Sequence, residues 1–221
     1  MLKNNTFFIT ATDTGVGKTV TSAVLGVLLQ AQGHDVGVMK PVQCAGKDAQ
    51  FLKKILRLQE DLKVINPFYA PEPISPHLAF HRAKIKFDER RIQDCLRKLQ
   101  ARHDIVLVEG AGGLMVPLAK GYYNADLIAD LKAQVIIVAR LGLGTINHTL
   151  LTINEIQKRG LILKGLIFCQ TKPEREGVPQ STNPQEIEKL SAVKVLGIIP
   201  YLKPLNRKNI LRRCQNLKLD V

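Results

Sequence analysis

Residues 12–19 read Thr-Asp-Thr-Gly-Val-Gly-Lys-Thr, directly after the apolar run 7–9 and before the apolar stretch 20–29. The order is a strand, a glycine-bearing loop and a helix. Such a loop binds phosphate, because backbone N–H groups and a helix N-terminus converge on the oxygens while Lys18 reaches the terminal phosphates. The Thr19 hydroxyl is the usual Mg2+ ligand, although Thr12 replaces the first glycine of the common pattern. The sequence predicts binding of a nucleoside triphosphate.

Strand and helix signals alternate along the 221 residues. Besides 7–9, short β-branched runs without polar alternation predict strands buried on both faces of a sheet, at residues 36–39, 105–108, 135–139, 166–168 and 195–199. Apolar residues at helical spacing predict a helix around 92–99, and another covers 149–158. We expect one α/β domain over residues 1–221, with a doubly wound, mostly parallel sheet and helices on both faces.

Composition narrows the class of protein. The apolar share of 45% is ordinary for a soluble globular protein, and Lys and Gln interrupt every apolar stretch before it reaches the ~20 residues of a membrane span. The spacing of Cys44, Cys95, Cys169 and Cys214 fits reduced thiols of a cytoplasmic protein rather than disulfides or a zinc site.

The net charge of +13 could mark a nucleic-acid binder. We expect a solvated basic surface and no nucleic-acid partner, because the chain has no Trp, four Tyr and thinly spread cations. A positive field also suits anionic substrates. A denser basic tail contains Lys203, Arg207, Lys208, Arg212, Arg213 and Lys218.

Polar residues follow several predicted strands and should share one rim of the sheet. Lys40 follows the run 36–39, and Glu109 with its glycines follows the run 105–108. An acidic residue in this position is the usual magnesium partner of a phosphate loop, directly or through water. Asp48 could add a second carboxylate. The alternatives are that Lys40 is a surface lysine, that Glu109 caps a helix, and that Asp48 is an ordinary loop residue.

Two further segments carry weaker signals. Residues 142–148 open a helix after a strand and therefore offer another helix N-terminus to an anion. Ser75-Pro76-His77 lies among prolines, where turn chemistry is the favoured interpretation.

The chain resembles dethiobiotin synthetases over almost its whole length. The resemblance rests on five blocks in the family's order: Thr12-Asp-Thr-Gly-Val-Gly-Lys-Thr19, Lys40-Pro-Val-Gln43, Glu72-Pro-Ile-Ser-Pro-His77, Val108-Glu-Gly-Ala-Gly-Gly113 and Ile146-Asn-His148. Many NTPases share the first block, whereas the combination is far more specific.

The resemblance implies an ATP- and Mg2+-dependent ligase and a homodimer. The family converts 7,8-diaminopelargonic acid, CO2 and ATP into the cyclic urea of dethiobiotin through a carbamate and its phosphoric anhydride. Lys18 and Lys40 would be catalytic, and the metal ligands would be Thr19, Asp48 and Glu109. The nucleotide would be bound by Thr14, Gly15, Val16, Gly17, Lys18, Thr19, Val20, Cys169 and Gln170. The substrate would be bound by Thr12, Lys40, Cys44, Gly112 and Gly113, and across the dimer interface by Leu143, Thr145 and Asn147.

The chain departs from the family at two places. Cys44-Ala45-Gly46 stands where the family has Ser or Thr followed by Gly, and the loop to Asp48 is short. Cys169 stands where the family has an Asn that reads adenine. Because a thiol is a weak donor and acceptor, we expect other triphosphates to be accepted besides ATP.

Two other functions remain as alternatives. One is another amide- or urea-forming ligase of the same group, similar to a cobyrinate a,c-diamide synthase domain. The other is a ParA-like nucleotide switch acting on DNA, which the basic tail favours slightly. Asp13 counts against the switch, because it stands where those proteins carry a signature lysine.

Overall fold

The central feature of the computed structural model is a six-stranded parallel sheet. The structure describes residues 5–173, 177–217 and 219, and within them the strand order is β10-β9-β8-β1-β5-β2. The strands are β1 (Thr6–Ala11), β2 (Val36–Met39), β5 (Ile105–Glu109), β8 (Gln134–Ala139), β9 (Leu163–Cys169) and β10 (Val195–Ile199). Every predicted strand is therefore confirmed, four of them with longer bounds.

Short strands and helices complete the chain. Two small sheets pair β3 (Val42–Cys44) with β4 (Phe68–Ala70), and β6 (Pro117–Ala119) with β7 (Tyr122–Tyr123). The helices are α1 (Lys18–Ala31), α2 (Asp48–Leu56), α3 (Leu62–Ile65), α4 (Pro76–Arg82), α5 (Glu89–Gln100), α6 (Asn124–Leu131), α7 (Thr145–Lys158), α8 (Val178–Ser191) and α9 (Arg207–Arg213).

Two apolar clusters cover the two faces of the sheet. Successive residues of a strand point to opposite faces, so Phe7 and Ile9 of β1 pack in one cluster while Phe8 packs in the other. The first cluster includes residues of α1, α2 and α9, and the second includes residues of α4 to α8. Burial on both faces explains why these strands show apolar runs without alternation, and it confirms the doubly wound arrangement.

The carboxyl ends of the strands meet at one rim. Because β1 lies between β5 and β8, the phosphate loop after β1 stands in the middle of this rim. Lys40 leaves β2 beside Glu109 at the end of β5, since Met39 pairs with Val108 in register. Non-consecutive strands thus bring distant residues to one place.

The prediction of a turn at Ser75-Pro76-His77 is wrong. Ser75 is the N-cap of α4 and Pro76 is its first residue, a position where a missing N–H costs no helical hydrogen bond.

Two cations of the basic tail bind the chain itself. Arg207 donates to Gln30 Oε1 at 2.6 Å and to the Ile55 carbonyl at 3.2 Å, and Arg213 donates to the Tyr201 carbonyl at 2.9 Å. Lys218 lies outside the described residues. No helix among the described residues is long and apolar enough to cross a membrane.

Candidate active site

The phosphate loop turns sharply from β1 into α1 by means of its glycines. Gly17 is the N-cap of α1 with φ 106°, a conformation that residues with a Cβ rarely adopt. A Cβ on Gly17 would lie 2.5 Å from the Cys169 sulfur, so glycine is also required by space. The loop therefore brings backbone close to a ligand at the start of a fourteen-residue helix, where unpaired N–H groups favour an anion.

Lys18, the first residue of α1, is buried and lines the cleft. Its Nζ donates to the Asp13 carbonyl at 3.4 Å. Burial, together with the nearby charge of Lys40, lowers the pKa of Lys18 to about 8. A bound anion would offset both effects, so this ammonium suits a phosphate chain.

Lys40 and Glu109 form a direct ion pair at the floor of the cleft. Lys40 Nζ donates to Glu109 Oε1, and both residues are buried, with Glu109 fully so. Thr19 Oγ1 donates to the same carboxylate oxygen at 2.8 Å, and Asp48 Oδ2 lies 3.2 Å from Lys40 Nζ. The alternatives of a surface lysine and of a helix-capping glutamate are therefore wrong.

Charge balance in this cluster depends on the carboxylates. Burial opposes the charged form of Lys40, but Glu109 and Asp48 more than offset it and raise the pKa of Lys40 above its ordinary value. The ammonium is thus charged throughout the physiological range.

The same side chains fit a magnesium ion. Glu109 Oε2 is buried without a hydrogen-bond partner in the described structure, although a buried carboxylate oxygen normally has one. The described residues contain no group of three His, Cys, Asp or Glu side chains arranged for a metal. Two carboxylates and the Thr19 hydroxyl are nevertheless sufficient for Mg2+, because it keeps several waters and takes oxygens from nucleotide phosphates.

A cleft of about 710 Å3 extends from the phosphate loop along the ends of β2 and β5. Eleven of the predicted site residues line it: Thr14, Gly15, Gly17, Lys18, Thr19, Val20, Lys40, Cys44, Asp48, Glu109 and Gly112. Val16 is a buried core residue, which leaves only its backbone for a ligand.

Thr12 and Gly113 lie beside this cleft. Both line a smaller groove of about 320 Å3. Met115, between β5 and β6, and Leu151 of α7 also line this groove. The Thr12 hydroxyl is buried there without a hydrogen-bond partner.

The expectation that Cys169 and Gln170 face the nucleotide needs correction. Cys169 is the last residue of β9, is 2% exposed, and packs in the core under Gly17. Burial raises the pKa of its thiol to about 12. The Gln170 Oε1 accepts from the Tyr201 N–H at 3.3 Å. Thr171, rather than either of them, lines the cleft.

The first residues of α7 do not line the cleft of their own chain. Leu143 is 83% exposed and Asn147 is exposed, whereas the Thr145 side chain is buried with its hydroxyl 3.5 Å from that of Thr149. A contact of the Thr145 side chain with substrate is therefore excluded by packing, which leaves its backbone for such a role.

Sequence reasoning missed two buried amides that shape the cleft. Gln43 belongs to the Lys-Pro-Val-Gln block, which was the only signal for it. Asn124 Nδ2 donates to the carbonyls of Ala111 at 2.7 Å and Gly113 at 2.8 Å, and thereby holds the glycine-rich loop after Glu109. No pattern around Asn124 indicates this role.

The chain is similar to known proteins over most of its length. A family model described as AAA domain matches residues 5–209. The ATP-dependent dethiobiotin synthetase BioD of Thermodesulfovibrio yellowstonii is 40% identical, with 92% of each chain covered. The protein of the same name from Nitrosopumilus maritimus is 37% identical over 93% of this chain and 92% of its own.

A solved structure shows the same fold at lower similarity. It is the septum site-determining protein MinD complexed with Mg-ADP from Pyrococcus horikoshii, with a TM-score of 0.62, 18% identity, and coverage of 94% of this chain and 85% of the other. The five sequence blocks, the clustered lysines and carboxylates, and the close relatives lead to one assignment. The chain belongs to the dethiobiotin synthetase family of phosphate-loop proteins.

Proposed function

We propose that this protein forms dethiobiotin from 7,8-diaminopelargonic acid, CO2 and ATP. The observation that carries the proposal is the convergence of Lys18, Lys40, Asp48 and Glu109 on the cleft beside the phosphate loop. Such a site can hold two anions, a triphosphate and a carbamate, against one another. Catalysis by positioning and charge stabilisation needs no covalent link to the protein.

The reaction requires three bond-forming steps. One amine of the substrate adds to CO2 and loses a proton, which gives a carbamate. A carbamate oxygen then takes the γ-phosphoryl group and ADP leaves. The second amine attacks the carbamate carbon, phosphate leaves, and the ring closes.

The two lysines have separate tasks in this scheme. Lys18 lies at the start of α1 and would bind the β- and γ-phosphates. Lys40 lies at the end of β2 and would hold the carbamate beside the γ-phosphate, where negative charge moves during transfer. Its charged state is secured by Glu109 and Asp48.

Thr19, Asp48 and Glu109 would hold Mg2+. The ion supplies positive charge to the phosphate oxygens when it is bound. The Glu109 Oε2 supports this role, because it is buried without a hydrogen-bond partner among the described residues and a metal ion would supply the missing one.

We further propose a homodimer that completes the substrate site. Leu143, Leu151 and Met115 are exposed apolar residues, and the last two line the groove beside Thr12. A twofold axis at this surface would bring the start of α7 in one subunit to the cleft of the other, where its N–H groups suit the substrate carboxylate. The free thiols of all four cysteines favour the cytoplasm as the compartment.

The assay is ADP release with ATP, Mg2+ and bicarbonate, with and without 7,8-diaminopelargonate, accompanied by mass detection of dethiobiotin. We expect turnover only with the diamine, and Lys40→Gln should retain nucleotide binding and lose product. The control adds duplex DNA in place of the diamine. Stimulation by DNA without product formation would favour the nucleotide-switch alternative and contradict this proposal.

A further inference from the structure

Gln43 is a buried polar residue that lines the cleft, and its side chain forms hydrogen bonds with the loop that follows it. It is the middle residue of β3, three positions after Lys40, and is 2% exposed. A buried amide must find partners for its donors and its acceptor. The partners of Gln43 all lie within the next six residues.

The amide joins three backbone groups. Its Nε2 donates to the Ala45 carbonyl at 3.0 Å and to the Gly46 carbonyl at 2.9 Å, and its Oε1 accepts from the Ala49 N–H at 3.0 Å. Both N–H groups and the oxygen are thereby used. Glutamate could not donate to the two carbonyls, and methionine could make none of these bonds.

The loop that Gln43 holds has an unfavourable backbone. Ala45 has φ 59° and Gly46 has φ 69°, so two consecutive residues adopt the left-handed region, one of them with a Cβ. Such a turn persists where the surroundings hold it. Besides the Gln43 bonds, the Ala45 N–H donates to the Ala70 carbonyl at 2.8 Å.

Gln43 also takes the place of a helix cap. Lys47, the N-cap of α2, provides no side-chain hydrogen bond to the first turn. The Ala49 N–H is one of the first-turn groups that have no partner inside the helix, and Gln43 supplies its acceptor. Asp48, the first residue of α2, therefore lies between two segments that Gln43 holds.

We propose that Gln43 is the positioning residue that places the Asp48 carboxylate in the metal site. The geometry runs from the Gln43 amide through the backbone at Gly46 and Ala49 to Asp48, whose Oδ2 is 3.2 Å from Lys40 Nζ. These hydrogen bonds hold both sides of the short connection from β3 to α2, and thereby the first residue of α2, Asp48. The inference rests on the metal role of Asp48 in the proposed function.

The test is Mn2+ binding to the protein in the presence of ADP, measured by electron paramagnetic resonance. Gln43→Met should weaken Mn2+ binding about tenfold, as removal of a group that orients a metal ligand commonly does. Gln43→Leu, which removes the same three side-chain hydrogen bonds without adding a charge to the cleft, should weaken it similarly and serves if the methionine variant fails to fold.

A double-mutant cycle with Asp48→Asn separates positioning from general stability. If Gln43 acts through Asp48, Gln43→Met should change Mn2+ affinity less than about twofold in the Asp48→Asn background. The matched control is Gln30→Met, which removes hydrogen bonds to Leu56 and Arg207 away from the cleft. This control should lower thermal stability and leave Mn2+ affinity unchanged.

The outcomes are distinct. Wild-type Mn2+ affinity in both Gln43 variants, or fully additive losses in the double variant, would overturn the role of Gln43 while leaving the metal role of Asp48 in place. An Asp48→Asn protein with unaltered Mn2+ affinity would instead overturn the metal role of Asp48, and the role of Gln43 with it. Dethiobiotin formation is tested separately by the product assay.

Discussion

The ammonium of Lys40 and the carboxylate of Glu109 are bonded directly although 69 residues separate them in the chain. Their strands, β2 and β5, are neighbours in the sheet, and each residue stands at the carboxyl end of its strand. With Thr19 and Asp48 they form one charged cluster beneath the phosphate loop. Removal of one member therefore affects the others.

Lys40→Met should destabilise the ligand-free protein, because Glu109 would remain fully buried without its cation. Breaking a buried pair in this way costs about 3–5 kcal/mol. The double variant Lys40→Met/Glu109→Gln should recover much of the loss, and urea unfolding without nucleotide measures both. Lys189→Met, which removes an exposed pair with Glu186, is the control and should hardly change stability. Equal losses in the single and double variants would contradict the assignment.

Nucleotide binding should depend on pH through Lys18. Its pKa of about 8 in the empty site lies below the ordinary 10.5, and bound phosphate favours the protonated form. Binding should therefore take up protons above about pH 8, and ADP affinity should fall there while staying level below pH 7.

Isothermal titration of ADP at pH 8.5 in two buffers of different ionisation enthalpy measures this uptake. Lys18→Ala should bind ADP more weakly and show no uptake. Without ligand, the pKa of Lys18 is also lower in the folded protein than in the unfolded chain. The free energy of unfolding should therefore increase as pH rises from about 8 to 10.5, because the unfolded chain binds more protons in that range. Proton release on binding would contradict the role of Lys18.

Thr19→Val should weaken Mn2+ binding and slow turnover, since it removes the hydroxyl that donates to Glu109 at 2.8 Å. Loss of one preorganised polar group that stabilises a transition state commonly costs about a hundredfold in turnover, and we expect a loss of that order here. Thr19→Ser keeps the hydroxyl and is the matched control. If serine and valine behaved alike, the hydroxyl would have no role in the site.

If the proposed homodimer forms, Leu151→Glu should convert it into a folded monomer with little activity. Leu151 is 60% exposed on the proposed interface, so a charge there disturbs association without disturbing the core. Ile146, by contrast, packs partly against the core, and its replacement would confuse folding with assembly. Light scattering at micromolar concentration gives the mass, and Ile162→Glu, with 63% exposure, is the control. An active wild-type monomer would rule out the shared site.

Several triphosphates should support turnover. Because the Cys169 thiol is buried under Gly17, it offers no hydrogen bond to a base, and phosphate contacts carry most of the affinity. Turnover with ATP, GTP, CTP and UTP under identical conditions is the measurement. A preference for ATP on the order of a thousandfold would mean that another residue reads adenine.

The fold was predictable because strands that are buried on both faces of a sheet have continuous apolar runs in the sequence. Each run of β-branched residues became a strand, and the polar residues directly after them, Lys40 and Glu109, met at the rim. That these two bind each other was not predictable, because the adjacency of β2 and β5 is a property of strand order rather than of either run.

The errors have local physical causes. The run 166–168 predicted a strand end at Phe168, but the sheet continues to Cys169. Since strand residues alternate, Phe168 packs in one cluster and Cys169 in the opposite one, which turns the thiol toward the core. Gln43 escaped notice because its bonds go to backbone groups, which leave no trace in side-chain patterns.

The contact between Gly17 and Cys169 limits how this protein can be engineered. A Cβ at position 17 would lie 2.9 Å from the Cys169 Cβ, so the space below the loop holds a thiol and little else. A Cys169→Asn substitution would enlarge that side chain and displace the phosphate loop at Gly17. Stricter base selection would therefore require changing the surroundings of both positions together, or using a residue such as Thr171, which lines the cleft next to Gly17.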